Sequence, residues 1–447
     1  MNASVEAKDI YLQAHAENAS SLVGHQLPWL AQTRERALAH FAEQGFPTTR
    51  DEEWRYTNVA PIQRSAFHPA AKVLAELTPQ HLQPFVFQDL FCHRLVFING
   101  HFAPQLSVFG QLPGGVIVSS LAKAIDSRAA FLQCHLAHYA PVDRYGFAAL
   151  NTAFLADGAC IFLPKEAALA DPVHLLFVST AREQPVLAQP RNLIVAEANS
   201  RATIIESYIS LDQARYFTNA ISEVVIGENA SIGHYKLGRE SAKAYHVGGI
   251  HVRQHASSRF ISHNITVGGA LVRNDIDVLF EAEGGECVLN GLYVANTRQH
   301  IDNHTCLDHA KPGCNSREFY KGVLDGRARA VFNGRIIVRQ DAQHTDAHQE
   351  NKNLLLSRDA EVDTKPQLEI YADDVKCAHG ATVGQLDDDA LYYLRSRGID
   401  AASARHVLTY AFAKDILNRM ALEPIRVHVE KMLTARLLQG QPVEGLV

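Results

Sequence analysis

A phrase recurs through the middle of this chain: a turn residue, small or polar neighbours, then alternating β-formers. It starts at Asn199, Asn229, His255, Gly284, Gly326 and Asp359, giving intervals of 30, 26, 29, 42 and 33 residues. A β-sandwich needs a turn every ~8–12 residues. Phrases about three times longer predict a solenoid, in which each coil buries its apolar face only by stacking on the next. The expected fold is mainly β, a parallel β-helix over residues 158–385. The long interval contains Lys311, Pro312 and Gly313 and reads as a loop excursion. Bare sheet edges and flat faces have to be capped or paired. Helices at both ends of the stack are the expected caps, and outward strands are free to pair with a second, similar molecule.

The flanks read as helical. Residues 1–157 form an α-rich region with short strands. Leu30, Ala37, Leu38 and Phe41 share one face of a helix from Pro28 to Gln44, with Pro28 in its first turn and Gly45 as its stop. Trp54 and Tyr56 read as an aromatic clamp that folds this head onto the body. Leu95–Ile98 runs into Asn99-Gly100, a strong hairpin signal, and residues 127–155 read as mainly helical. Residues 386–447 form a helical bundle. Asp387 and Asp400 cap two helices, Pro424 opens a third, and Gly398 and Gly440 act as stops. Tyr410, Leu417 and Leu438 fall on second faces suited to docking a partner.

Composition closes off several functions. A net charge of −6 argues against nucleic acid, whose phosphates call for a basic surface. No apolar run approaches the ~20 residues of a membrane span. The stretch Met1–Asp9 shows neither a secretory nor a transit pattern. Seven cysteines without CxxC pairing suit a reducing cytoplasm. No nucleotide loop, nucleophile elbow or HExxH is present. Ser120 and Lys123 match Ser-x-x-Lys without its partner motifs, a chance match. His300, His304 and His309, like His344 and His348, read as exposed histidines in coil turns, and Cys287, Cys306 and Cys314 read as structural.

One pair stands apart. Cys377 and His379 lie two residues apart in an extended segment, so both side chains point to the same face. Thiolate and imidazole are two metal ligands, and tetrahedral zinc or iron–sulfur sites need more. The remaining ligands have to come from elsewhere, another chain included.

Asp374–Gly384 and Leu391–Gly398, together with Glu53–Thr57 and Thr345–Ser357, resemble the SufB/SufD family of the SUF iron–sulfur cluster assembly complex. SufB proteins carry Glu-His-Glu-Ala where this chain has Cys377 to Ala381, so the SufD branch is the closer match. The resemblance implies a right-handed parallel β-helix between helical regions. It implies pairing with a SufB-like paralogue through the β-helix and docking of a SufC-like ABC-type ATPase on the C-terminal helices. It implies a nascent cluster at the subunit interface, with His379 as this chain's ligand and Cys377 beside it, and none held tightly by the isolated chain. The expectation is a non-catalytic cytoplasmic scaffold. Two alternatives stay open: a stand-alone metal-dependent β-helix enzyme using Cys377 and His379, and a purely structural homodimer.

Overall fold

The computed structural model describes residues 3–437 apart from 66, 71–76, 144–145 and 181–184. Gly440 and Leu438 lie outside the described residues.

The chain shuttles between two sheets that stack as a flattened parallel solenoid. Sheet I ends in Tyr245–Gln254, Leu271–Phe280, His300–His309, Arg329–Val338 and Glu361–Ile370. Sheet II ends in Arg259–Thr266, Glu286–Ala295, Asn315–Leu324, Asp346–Leu355 and Lys376–Gly384. Register partners in such in-register parallel pairs share a face, so whole rows of side chains run down the stack. Inward rows form one apolar core, with Phe260, Cys287, Leu289, Phe280, Ile301, Phe332 and Ile336 among its members.

Left-handed residues mark one corner of each coil: Glu166, Asn199, Asn229, Ser257, Gly284, Gly313 and His344 all have φ between 52° and 73°. Their backbone N–H groups form a ladder of their own. Asn199 donates to the Glu228 carbonyl, Asn229 to Ala256, Ser257 to Glu283, Gly284 to Pro312, Gly313 to Gln343 and His344 to Asp374. This ladder explains the long interval in the sequence. Gly313 is the corner residue of an ordinary coil, and no excursion occurs there. Gly326 and Asp359 belong to the opposite corner, ahead of the sheet I strands starting at Arg329 and Glu361. Reading two corners as one series produced the apparent gap.

Among the described residues, the helices cover the faces of the stack and none caps its C-terminal end, contrary to the expected end caps. On the outer face of sheet I, Phe217, Val247 and Leu271 pack against Phe41, Trp54 and Phe147 of the head. On the outer face of sheet II, Leu237, Ile265, Leu292 and Val323 pack against Ile416, Leu417, Val429 and Leu433 of the tail helices Ala401–Leu417 and Glu423–Leu437. Outward rows rich in Leu, Ile and Val would otherwise face water, so burying them draws the helices to the sides. Leu417 is fully buried here and is no docking residue. The caps at Asp387 and Asp400 form as expected, each carboxylate accepting two backbone N–H bonds. Ser120 also proves to be a helix cap, accepting from the Lys123 N–H.

Between residues 127 and 155 the described helices are Ala129–His135 and Gly146–Ala153, and residues 136–143 are loop. Ahead of them, the hairpin at Asn99-Gly100 joins His93–Ile98 to His101–Phe102, and these strands extend sheet II.

The clamp residue is Trp54. It is buried, 5.2 Å from the Phe147 ring, and the Arg273 guanidinium lies 4.4 Å above its own ring. Tyr56 is 43% exposed and takes no part in the clamp. Arg273 is tied in turn to Asp302 at 2.7 Å and to the Glu53 carbonyl at 2.8 Å. His304 bridges Asp302 and Glu53, and His300 meets the Thr57 hydroxyl at 2.8 Å. These two histidines therefore sit on a strand under the head, not in turns. His309 points into the core against Ser316 and Phe280. Only His344 occupies a turn, paired with Asp374 at 2.9 Å, while His348 lies on the strand Asp346–Leu355 beside Phe319. Truncating Trp54 removes its ring packing and the platform for a buried cation. Trp54→Ala is expected to cost about 3–5 kcal/mol, measured by urea denaturation, and to expose the segment around Glu53 to limited proteolysis.

An inward position on the sheet II strand Asn315–Leu324 carries a carboxyl. Glu318 is fully buried, and burial pushes its pKa up to about 7 against the opposing hydrogen bonds from Thr305 and Gln349. The folded chain therefore holds a proton that the unfolded chain releases near the ordinary value of 4.5. Between these values the unfolded state binds fewer protons, so this group's contribution falls as pH rises through the window. Glu318→Gln removes that loss. Its stability relative to wild type is expected to increase by roughly 3 kcal/mol between pH 4.5 and 7, read from urea curves across that range.

Candidate functional site

The last coil has no successor. Among the described residues, Glu361–Ile370 and Lys376–Gly384 are the final strands of their sheets, and each has a neighbour on one side only. The rows of the solenoid interior therefore end in the open. Cys377 continues the inward row Phe260, Cys287, Ser316, Ala347. His379 continues the row Ser262, Leu289, Glu318, Gln349. Across the mouth, Val362 and Leu368 extend inward rows of sheet I through Ala330 and Ile336.

The sequence-derived pair thus lies on one strand and one face, at the rim of the interior. Cys377 is half-buried and packs against the apolar core, whereas His379 is exposed. Burial raises the Cys377 thiol pKa above its ordinary value, with an adjacent Ala347 backbone bond opposing and Asp346 adding to the shift. The thiol therefore holds its proton at neutral pH and gives it up only to a metal or a base. Among the described residues, no group of three or more His, Cys, Asp or Glu side chains is arranged to hold a metal ion. The donor set is soft sulfur plus borderline imidazole, a fit for iron or zinc but half of a four-coordinate site.

The other cysteines lie elsewhere. Cys287 and Cys314 are core residues. Cys306 is partly buried on the outer face of sheet I beside Arg335, and burial raises its thiol to about 11.

The rim has an edge as well as a lining. The Lys376 N–H donates back to the Thr345 carbonyl at 2.8 Å. Backbone direction alternates along a strand, so the N–H groups of Cys377, His379, Ala381 and Val383 face the open side. Aromatic and aliphatic side chains stand near this end. Tyr371 is 63% exposed and Val383 48%, and on the short helix Asp388–Ser396 Tyr392 is 75% and Tyr393 57% exposed. Reading the sequence alone missed the mouth residues and the buried Glu318–Gln349 pair behind His379. Their signal was an offset of one coil: Gln349 precedes His379 by 30 positions and Glu318 precedes Gln349 by 31.

Comparison with known proteins matches this architecture. A model described as the SUF system FeS cluster assembly SufBD core domain matches residues 177–412, and one for the SufBD N-terminal region matches residues 5–175. An iron–sulfur cluster assembly SufBD family protein of Synechocystis sp. is 34% identical over 441 residues, covering 96% of each chain. The iron–sulfur cluster assembly protein SufD of Escherichia coli is 33% identical over 405 residues, covering 90% of this chain and 92% of its own. SufD of Bacillus subtilis is 26% identical over 441 residues, covering 96% and 97%. With a core model spanning more than half of its length and relatives aligned almost end to end, this chain belongs to the SufBD family of SUF-system iron–sulfur cluster assembly proteins.

Proposed function

We propose that this chain is a scaffold subunit on which an iron–sulfur cluster is built, as one half of a pocket that a SufB-like paralogue completes. The observation that carries this reading is the open end of the solenoid, where two unpaired strand edges frame Cys377 and His379. An exposed parallel edge is a template for another strand. A paralogue built of similar coils would satisfy the free N–H groups of Lys376–Gly384 and bring its own ligands to the mouth. His379 is the proposed ligand from this chain, with Cys377 beside it. The cluster is cargo, received and passed on.

A SufC-like ABC-type ATPase is proposed to dock on the tail helices, where Tyr392 and Tyr393 offer exposed aromatic surface of the kind enriched at interfaces. Nothing in this scheme asks the chain for catalysis. A reducing cytoplasm is the proposed setting, in keeping with seven free cysteines.

Two variants test separate halves of the proposal. His379→Ala is expected to pair normally with the paralogue while retaining at least about tenfold less iron and sulfide in the reconstituted complex, a loss no smaller than that of removing a ligand's outer partner. Unchanged retention would take His379 out of the site. Ala381→Pro deletes one outward N–H without breaking a bond to the preceding strand, and edge strands tolerate proline. It is expected to leave stability within about 1 kcal/mol and to abolish pairing in gel filtration. Pairing that survives this change, or a mixture that yields only a homodimer, would overturn edge-to-edge assembly with a paralogue. Metal loading displaces the Cys377 proton, so it should rise with pH. A flat profile in iron-binding titrations would remove Cys377 from the ligand set.

A further inference from the structure

We infer that Gln349, anchored by Glu318, is the positioning residue that decides which ring nitrogen of His379 carries the proton. The inference deepens the reading of His379 as a ligand and rests on it.

Glu318, Gln349 and His379 occupy one inward row on three successive strands of sheet II. Gln349 and Glu318 are both fully buried. The Gln349 Nε2 amide donates to Glu318 Oε2 at 2.6 Å. That bond turns the amide so that its NH2 faces back into the stack. The carbonyl Oε1 of Gln349 is left buried and has no partner among the described residues. An orphaned acceptor of this kind costs about 1–3 kcal/mol, which makes its persistence informative.

The next side chain along the row is His379, one strand spacing of about 4.8 Å away. Its register partner is Gln349 itself. A neutral imidazole has one N–H donor and one lone pair. A bond from the ring N–H to Gln349 Oε1 satisfies the orphan and fixes the tautomer. It leaves the lone pair on the other nitrogen, facing the mouth where a metal would arrive. Ligating histidines generally donate their second nitrogen to a carbonyl, carboxylate or water for this reason. An amide supplies the orientation without adding a negative charge next to the ring.

Ring 1H–15N correlation spectra of the full-length chain, labelled with 15N-histidine, test this at a pH above the ordinary imidazole value of ~6.5. His379→Asn assigns the resonance. Wild type is expected to show His379 as a single neutral tautomer, its two ring nitrogens widely split. In Gln349→Met the two shifts should draw together as tautomers interchange. Glu318→Met should do the same by releasing the amide, and it decides the matter if Gln349→Met fails to fold. His379 shifts that do not move in Gln349→Met or Glu318→Met overturn the inference while leaving the ligand reading in place. Unchanged cluster retention in His379→Ala would remove the ligand reading and leave these spectra as they are.

Discussion

A parallel stack has no natural end. Each strand finds partners for half of its backbone groups only on the next coil, and here the corner residues do the same, from Asn199 through His344. At the N-terminal end the chain resolves this with antiparallel pairings. His101–Phe102 folds back on His93–Ile98, and Ile117–Ser120 runs against Ala159–Leu163. At the C-terminal end no such pairing closes Glu361–Ile370 or Lys376–Gly384 among the described residues. The molecule is therefore asymmetric by construction, with its interior rows sealed at one end and open at the other.

The same constraint explains where the helices go. Both outer faces carry apolar rows, and covering them buries far more surface than plugging one cross-section would. The head takes one face through Trp54 and Phe147, the tail takes the other through Ile416 and Leu433. Buried charge then fixes the head in register. Arg273 under Trp54 is held by Asp302 and Asp275, and a half-made version of this cluster would leave a buried guanidinium unpaired, at a cost of several kcal/mol. With both faces occupied, the open end is where unpaired strand edges and exposed side chains of the described residues lie together.

Much of this was legible in the residues. The solenoid followed from phrases too long for a sandwich, and the helix over Pro28–Gln44 and the caps at Asp387 and Asp400 followed from local chemistry that tertiary packing left alone. What failed was the part that depends on the third dimension. A period near 30 does not say which corner a turn belongs to, so Gly284 and Gly326 were placed in one series and Gly313 was read as a loop excursion. Histidine spacing says nothing about what lies above a strand, so the clamp over His300 and His304 was invisible. The facing of Cys377 and His379 followed from alternation along a strand, but their position at an open rim required knowing that the stack stops there. Gln349 and Glu318 are tied to His379 only by strand register, which residue types do not show.

Register also joins the two surfaces on which the proposed scaffold would depend. Asn315–Leu324 alternates between them. Outward, Lys321 pairs with Asp415 at 2.9 Å and lies 4.6 Å from the Phe412 ring, and Arg419 lies 3.8 Å over the Phe319 ring. Inward, the same strand carries Glu318, the anchor of Gln349. A displacement of the tail helix Ala401–Leu417 by a docked ATPase would thus bear on the strand that sets the amide behind His379. Coupling of this kind needs only a small shift, because a hydrogen bond of 2.6 Å weakens steeply as its geometry degrades. It would loosen the orientation of His379 without moving the backbone that holds it. On this reading the solenoid is rigid so that its last coil can be tuned from the side, and the ligand most exposed to water is also the one whose geometry is set from within.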